Sequence, residues 1–141
     1  MSFHKSYAVF GLGRYGLAVA KELVNHGAEV LAVDHDQTIV NSAIADIPFC
    51  KCADVTNAEV IDQLGIANID VVIVAMANNL EASVLAVMLC KEAGVKTVIA
   101  KCANETNRKI LTKVGADKVV FPKASPAQDL QKISLARDLS M

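Results

Sequence analysis

The sequence predicts a doubly wound α/β domain with six parallel strands in the order 3-2-1-4-5-6. Two observations support this fold class: short apolar runs alternate with helical patterns along nearly the whole chain, and a glycine-rich turn follows the first run. Runs rich in Val, Ile and Ala, without polar alternation, are typical of strands buried on both faces of a parallel sheet. Strand–helix alternation implies right-handed crossovers, and a glycine turn after the first strand fits the stated order.

Six short apolar runs are predicted to be the strands of this sheet. They span residues 7–10, 29–33, 48–52, 71–75, 97–100 and 118–121. Five helices are predicted between them, because apolar residues there recur at three- and four-residue spacing. These helices span 14–26, 36–45, 57–64, 79–93 and 104–114. Glycines that follow four of the helices are predicted to close them, and they are Gly27, Gly65, Gly94 and Gly115.

A last amphipathic helix is predicted near the end of the chain, at residues 125–141. No strand follows it, so it either packs back on the sheet or meets a partner. Its apolar positions are Leu130, Ile133, Leu135 and Leu139. The predicted organisation is therefore one nucleotide-binding domain over residues 1–124, followed by this helix.

Composition excludes several classes of protein. The chain has 141 residues, of which 53% are hydrophobic and 21% charged, so a sizeable core is expected. Its net charge is −1, whereas a general nucleic-acid binder usually has an excess of basic residues. The longest apolar run, 71–77, is far shorter than the roughly 20 residues of a membrane helix, and the N-terminus lacks a secretion signal. A soluble, cytoplasmic protein is expected.

Four cysteines lie in or beside apolar runs, at Cys50, Cys52, Cys90 and Cys102. In a reducing compartment we expect them to be buried free thiols. The Cys-Lys-Cys stretch at 50–52 could suggest a metal site, but one such pair without further ligands is weak evidence. No metal site is predicted.

The stretch "GLGRYG" at residues 11–16 predicts a phosphate-binding turn of the Rossmann-like kind. It follows a predicted strand and opens a predicted helix, which is the context this motif requires. Gly11 permits the tight turn, Gly13 lets a diphosphate approach the backbone, and Gly16 lets the helix pack closely on the strand. The exposed amides and the helix dipole then favour phosphate. The intervening residues, also predicted to contact the nucleotide, are Leu12, Arg14 and Tyr15.

Acidic residues after the second and third strands are predicted to hold the adenosine. Asp34 lies 18 residues after Gly16, where a carboxylate can accept hydrogen bonds from both ribose hydroxyls and repel the 2′-phosphate of NADP. The alternative for Asp34 is a helix N-cap beside Asp36. Asp54 could face the adenine amino group, or could simply form a turn. Further predicted contacts are His35, Val55, Ala75 and Met76.

Catalytic groups are not apparent beside this nucleotide site. A Tyr-x-x-x-Lys pair is missing, and none of the histidines, His4, His26 and His35, is placed as a general base. Six strands also use nearly the whole chain, leaving no substrate domain. These observations favour a sensor over a small NAD-dependent oxidoreductase or a fragment of one. A third hypothesis is an interaction module that no longer binds nucleotide.

Longer stretches of the sequence resemble one family. "YAVFGLGRYGLAVAKEL", "EVLAVDHD", "ADVTN" and the segment from "DVVIVAMANN" to "GADKVVFP" are similar to the N-terminal lobe of RCK (KTN, or TrkA-N) domains, over residues 6–139. These domains are regulatory subunits of Trk/Ktr-type potassium uptake systems. The resemblance implies a gating protein and not an enzyme, with ATP/ADP or NAD(H) as the bound signal.

The resemblance also implies partners and site residues. It implies homodimers that close into an octameric ring, docked on a membrane potassium-translocating subunit at the inner face of the membrane. The last helix would cross to the dimer partner. The site residues that carry over are Gly11, Gly13, Arg14, Gly16, Asp34, Asp54 and Lys101.

Two departures from the family pattern limit what carries over. Many relatives have His-Pro-Glu after the sixth strand, with the acid implicated in cation binding between subunits. This chain has Phe-Pro-Lys at 121–123, so an intersubunit divalent site is not expected there. The family also usually continues into a C-terminal lobe, so the chain is expected to be a shortened form or a fragment.

Overall fold

The computed structural model describes residues 5–121 of the chain. The described part is one sheet of six parallel strands in the order β3-β2-β1-β4-β5-β6, which confirms the predicted fold class. The strands are β1 (Ser6–Phe10), β2 (Glu29–Asp34), β3 (Phe49–Cys52), β4 (Val71–Val74), β5 (Thr97–Lys101) and β6 (Lys118–Val120). The predicted last helix and the Pro-Lys pair at 122–123 lie outside the described residues.

Five helices connect the strands, as the spacing of apolar residues predicts. They are α1 (Arg14–Asn25), α2 (Gln37–Ala43), α3 (Ala58–Gln63), α4 (Leu80–Glu92) and α5 (Glu105–Lys113), with a 3-10 turn at Ile66–Asn68. Four predicted helices begin one residue early, because the first predicted residue is the N-cap. Its side chain accepts a hydrogen bond from a backbone N–H of the first turn, at Asp36, Asn57, Asn79 and Asn104.

Helix ends also differ from the predicted bounds by one or two residues. The predicted last residues 26, 64, 93 and 114 are C-caps. The four glycines predicted to close helices do follow these caps, in left-handed backbone conformation. Helix α2 has no such glycine and ends at Ala43, two residues before its predicted end.

Two apolar clusters hold the helices on opposite faces of the sheet. On one face, Tyr7 and Val9 of β1 are buried together with Leu23 of α1 and Val40 of α2. On the other face, buried residues of β1 and β4 pack with residues from α3, α4 and α5. Because both faces are covered, the carboxyl ends of the strands remain as the open edge where a ligand can enter. No helix among residues 5–121 is long and apolar enough to cross a membrane.

Candidate functional site

A cavity of about 480 Å³ opens at the carboxyl ends of β1, β2, β3 and β4. It brings together eight of the thirteen residues predicted from the sequence. From the glycine turn and the end of β2 come Gly11, Gly13, Asp34 and His35. From the segments after β3 and β4 come Asp54, Val55, Ala75 and Met76. The remaining five, Leu12, Arg14, Tyr15, Gly16 and Lys101, do not line this cavity.

The glycine turn has the geometry that its motif predicts. Gly11 adopts a φ of +96°, and a Cβ added there would lie 2.6 Å from the Ala75 carbonyl oxygen. A Cβ on Gly16 would lie 1.8 Å from the Gly11 carbonyl oxygen, so α1 approaches β1 as only glycine allows. Gly13 differs, since a Cβ there would meet nothing within 4 Å. The space beside Gly13 is therefore open to the cavity and free for a phosphate group.

Helix α1 begins directly after Gly13, beside this open space. Gly13 is the N-cap and has no side chain that could accept from the backbone N–H groups of the turn. No acidic residue occupies that turn either. A helix start with uncapped amides and no neighbouring acid attracts an anion through its N–H groups and its dipole. These features fit the phosphate groups of a nucleotide.

Asp34 organises the glycine turn as well as lining the cavity. Its carboxylate is 8% exposed, and its Oδ2 accepts a hydrogen bond from the Leu12 N–H at 2.8 Å. Its Oδ1 accepts from the Asp36 N–H at 2.9 Å. Each carboxylate oxygen has a second lone pair, so both can still accept from ribose hydroxyls. The helix N-cap is Asp36, not Asp34, which removes the alternative considered for Asp34.

The hydrogen bond from the Leu12 N–H to Asp34 joins residues that are 22 positions apart in the sequence, and the sequence pattern did not indicate it. Leu12 itself is 3% exposed and packs in the core. Its backbone N–H, and not its side chain, therefore belongs to the site. His35 is highly exposed at the rim, with its Nδ1 3.5 Å from Asp34 Oδ1.

Asp54 forms a local turn after β3. Its Oδ1 accepts from the Thr56 hydroxyl at 2.6 Å and from the Thr56 N–H at 2.9 Å. These two bonds, with a smaller contribution from His35, lower the pKa of the Asp54 carboxyl. Asp54 therefore has the turn role considered from the sequence, and it also lines the cavity beside Val55. A carboxylate held in this way can still accept a hydrogen bond from an adenine amino group.

The loop between β4 and α4 contributes residues that the sequence analysis missed. Asn78 and Asn79 line the cavity, and Asn79 is also the N-cap of α4. Ser83, 1% exposed, fixes the loop because its Oγ lies 2.8 Å from the Met76 carbonyl oxygen and 3.0 Å from that of Asn79. The two asparagines that follow the apolar run 71–77 were the available signal for this cap.

Arg14, Tyr15 and Lys101 lie beside the glycine turn, outside the cavity. Arg14 is exposed on the first turn of α1. Lys101 ends β5, and its Nζ lies 3.8 Å from the centroid of the Tyr15 ring. The predicted cationic residues therefore stand next to the helix start, and Tyr15 contacts one of them.

The cysteines differ from the expectation at one position. Cys50, Cys90 and Cys102 are buried free thiols as predicted, but Cys52 is exposed at the carboxyl end of β3. Burial raises the pKa of Cys90 to about 12, which keeps this thiol protonated and unreactive. Within residues 5–121, no three His, Cys, Asp or Glu side chains come close enough to hold a metal ion.

Comparisons with known proteins agree with this architecture. The family model of the TrkA-N domain matches residues 7–122. The chain is 40% identical to the Ktr system potassium uptake protein C of Bacillus subtilis over 124 residues, covering 88% of this chain and 56% of that protein. It is also 40% identical to the Ktr system potassium uptake protein A of Vibrio alginolyticus, covering 84% of this chain and 54% of that protein. The chain thus spans about half the length of these relatives.

Solved structures share the fold at lower sequence identity. The GsuK channel bound to NAD superposes with a TM-score of 0.73 at 15% identity, covering 84% of this chain and 21% of that chain. GsuK bound to ADP gives a TM-score of 0.69 at 14% identity, covering 84% and 31%. At this level of identity the likeness concerns the fold alone.

Proposed function

Because the chain belongs to the TrkA-N domain family, we propose that it is the nucleotide-binding part of a regulatory subunit in a potassium uptake system. The observation that carries this proposal is the cavity in which Gly13 and Asp34 meet. An open glycine at an uncapped helix start suits a diphosphate, and a buried carboxylate with free lone pairs suits a ribose. The names of the relatives, which are potassium uptake proteins, supply the link to potassium transport.

The proposed signal is an adenine nucleotide, either ATP/ADP or NAD(H). GsuK, which shares the fold, has been solved with NAD and with ADP. In this chain, Asp54 and Val55 would receive the adenine, Asp34 the ribose, and the turn at Gly13 the phosphates. Arg14 and Lys101 would add positive charge beside the phosphates. NADP is disfavoured because its 2′-phosphate would approach the Asp34 carboxylate.

The proposed role is a switch without a chemical step. Two nucleotides that differ in their contacts with the site would favour two arrangements of the assembly, and that difference would reach the transporter. The lining of the cavity supports this over an oxidoreductase. Among the described residues, the histidine that lines it is His35, which is highly exposed and lies beside Asp34, at the proposed ribose position.

The proposed partners follow from the family. We place the chain in the cytoplasm, in a homodimer that is part of an octameric ring, at the inner face of the membrane against a potassium-translocating subunit. The proposed crossing helix, residues 125–141, would join the two protomers. An intersubunit cation site at residues 121–123 is not part of this proposal.

Titration calorimetry of the purified chain with ATP, ADP, NADH and NADPH tests the ligand. We expect ATP or ADP, or NADH, to bind with a measurable heat. NADPH should bind at least about tenfold more weakly than NADH, because its negative 2′-phosphate would lie against the Asp34 carboxylate. Equal affinities for NADH and NADPH would contradict the ribose assignment. Failure of all four ligands to bind would contradict the proposed function.

A further inference from the structure

A lysine and a tyrosine from distant parts of the chain meet at the start of α1. Tyr15 is the second residue of the helix, and Lys101 is the last residue of β5. The Lys101 ammonium lies over the face of the Tyr15 ring, 3.8 Å from its centroid. This is within the range in which the electron-rich face of an aromatic ring attracts a cation.

The position of this ammonium has an electrostatic consequence. The N-terminus of a helix carries a partial positive charge, and the first turn of α1 contains Arg14 and no acidic residue. The Lys101 ammonium adds a further positive charge near this helix start, over a ring face that attracts it. A phosphate group bound at the turn would be attracted by the helix terminus, Arg14 and Lys101 together, because it would carry full negative charge.

The Tyr15 ring is itself held in place. It is half-buried and packs against the apolar cluster that contains Val9 and Leu23. A lysine side chain has many rotamers, so its ammonium is costly to fix in one position. A ring anchored in the core restricts where that ammonium can go. Neither Tyr15 nor Lys101 lines the cavity, so an effect of Tyr15 on a ligand there would act through the Lys101 ammonium, which would reach the ligand from beside the helix start.

We propose that Tyr15 is a positioning residue, whose ring holds the Lys101 ammonium beside the first turn of α1 for contact with the second phosphate of a bound nucleotide. The inference rests on the proposed function, because it takes an adenine nucleotide as the ligand. It differs from the expectation that Tyr15 contacts the nucleotide directly. The contact favours nucleotides that carry at least two phosphates over those that carry one.

A double-mutant cycle on the full chain, measured by calorimetry with ADP and with AMP, tests the inference. Tyr15→Leu keeps an apolar side chain but removes the ring, Lys101→Met keeps the length but removes the charge, and Tyr15→Phe keeps the ring. We expect each of the first two variants to bind ADP about three- to tenfold more weakly, and the double variant to bind no more weakly than Lys101→Met. Tyr15→Phe should bind ADP within about twofold of the parent, and AMP affinity should fall less than ADP affinity in both Tyr15→Leu and Lys101→Met.

An NMR measurement that needs no ligand tests the same contact. In NMR spectra of the chain labelled with ¹³C-lysine, the aromatic ring should shift the side-chain resonances of Lys101 in the parent and in Tyr15→Phe. That change in chemical shift should disappear in Tyr15→Leu. Additive losses of ADP affinity, or equal losses for ADP and AMP, would overturn the inference while leaving the proposed function intact. A parent chain that binds neither ADP nor AMP would overturn both.

Discussion

The Gly16→Ala variant should lose most of the stability of the domain. An added Cβ would lie 1.8 Å from the Gly11 carbonyl oxygen and 3.2 Å from the Ala75 Cβ. The first of these contacts is to backbone, which cannot rotate away as a side chain can. Helix α1 would have to move off β1, and the turn that it starts would move with it. We expect a loss of about 3 kcal/mol or more in the free energy of unfolding, measured by urea titration with circular dichroism.

Gly13→Ser is the matched control for Gly16→Ala. A Cβ at Gly13 would meet nothing within 4 Å, and serine is a preferred residue at a helix N-cap. This variant should unfold within about 0.5 kcal/mol of the parent, while its side chain should hinder a phosphate in the open space. If Gly16→Ala were as stable as Gly13→Ser, the close packing of α1 on β1 would be refuted. A Gly16→Ala chain that does not fold at all would agree with the prediction.

Asp34→Asn should weaken both the glycine turn and nucleotide binding. The two carboxylate oxygens accept from the backbone N–H groups of Leu12 and Asp36. An amide has one oxygen, so its NH₂ group would face one of those N–H donors and that bond would be lost. The expected cost is about 1–3 kcal/mol in the free energy of unfolding. ADP should bind at least about tenfold more weakly, because the bonds to the ribose lose their charge.

Asp36→Asn supplies the control for charge alone. It removes one negative charge from the same cavity, and asparagine caps a helix as well as aspartate does. We expect its stability and its ADP affinity to stay close to those of the parent. Calorimetry and urea unfolding of both variants separate the two effects. If Asp34→Asn bound ADP as tightly as Asp36→Asn, the Asp34 carboxylate would have no specific role in binding.

Much of the fold was predictable because local patterns and global topology agree. Apolar runs buried on both faces, capping residues such as Asn57 and Asn104, and the glycine turn each restrict the chain to the same architecture. Strand order followed from the turn after β1. Helix bounds were predicted less accurately, because the residue type alone does not show whether a position is the N-cap or the first helical residue. The two positions differ in backbone conformation.

The candidate site was only partly predictable. Spacing predicted that Gly13 and Asp34 would lie together, and both line the cavity, because each follows closely on a strand of the predicted sheet. It could not identify the bond from Leu12 to Asp34, the buried hydroxyl of Ser83 or the contact of Lys101 with Tyr15, because these join segments that only the folded sheet brings together. The exposure of Cys52 was missed because Cys50 on the same strand is buried, and the apolar pattern does not distinguish the two positions.

A crystal structure of the chain saturated with ADP tests the central claim most directly. We predict ADP in the cavity at the carboxyl ends of β1, β2, β3 and β4, with both ribose hydroxyls within hydrogen-bonding distance of the Asp34 carboxylate. The diphosphate should lie against Gly13 and the first turn of α1. ADP bound elsewhere on the chain, or a cavity without ADP at saturating concentration, would contradict the account.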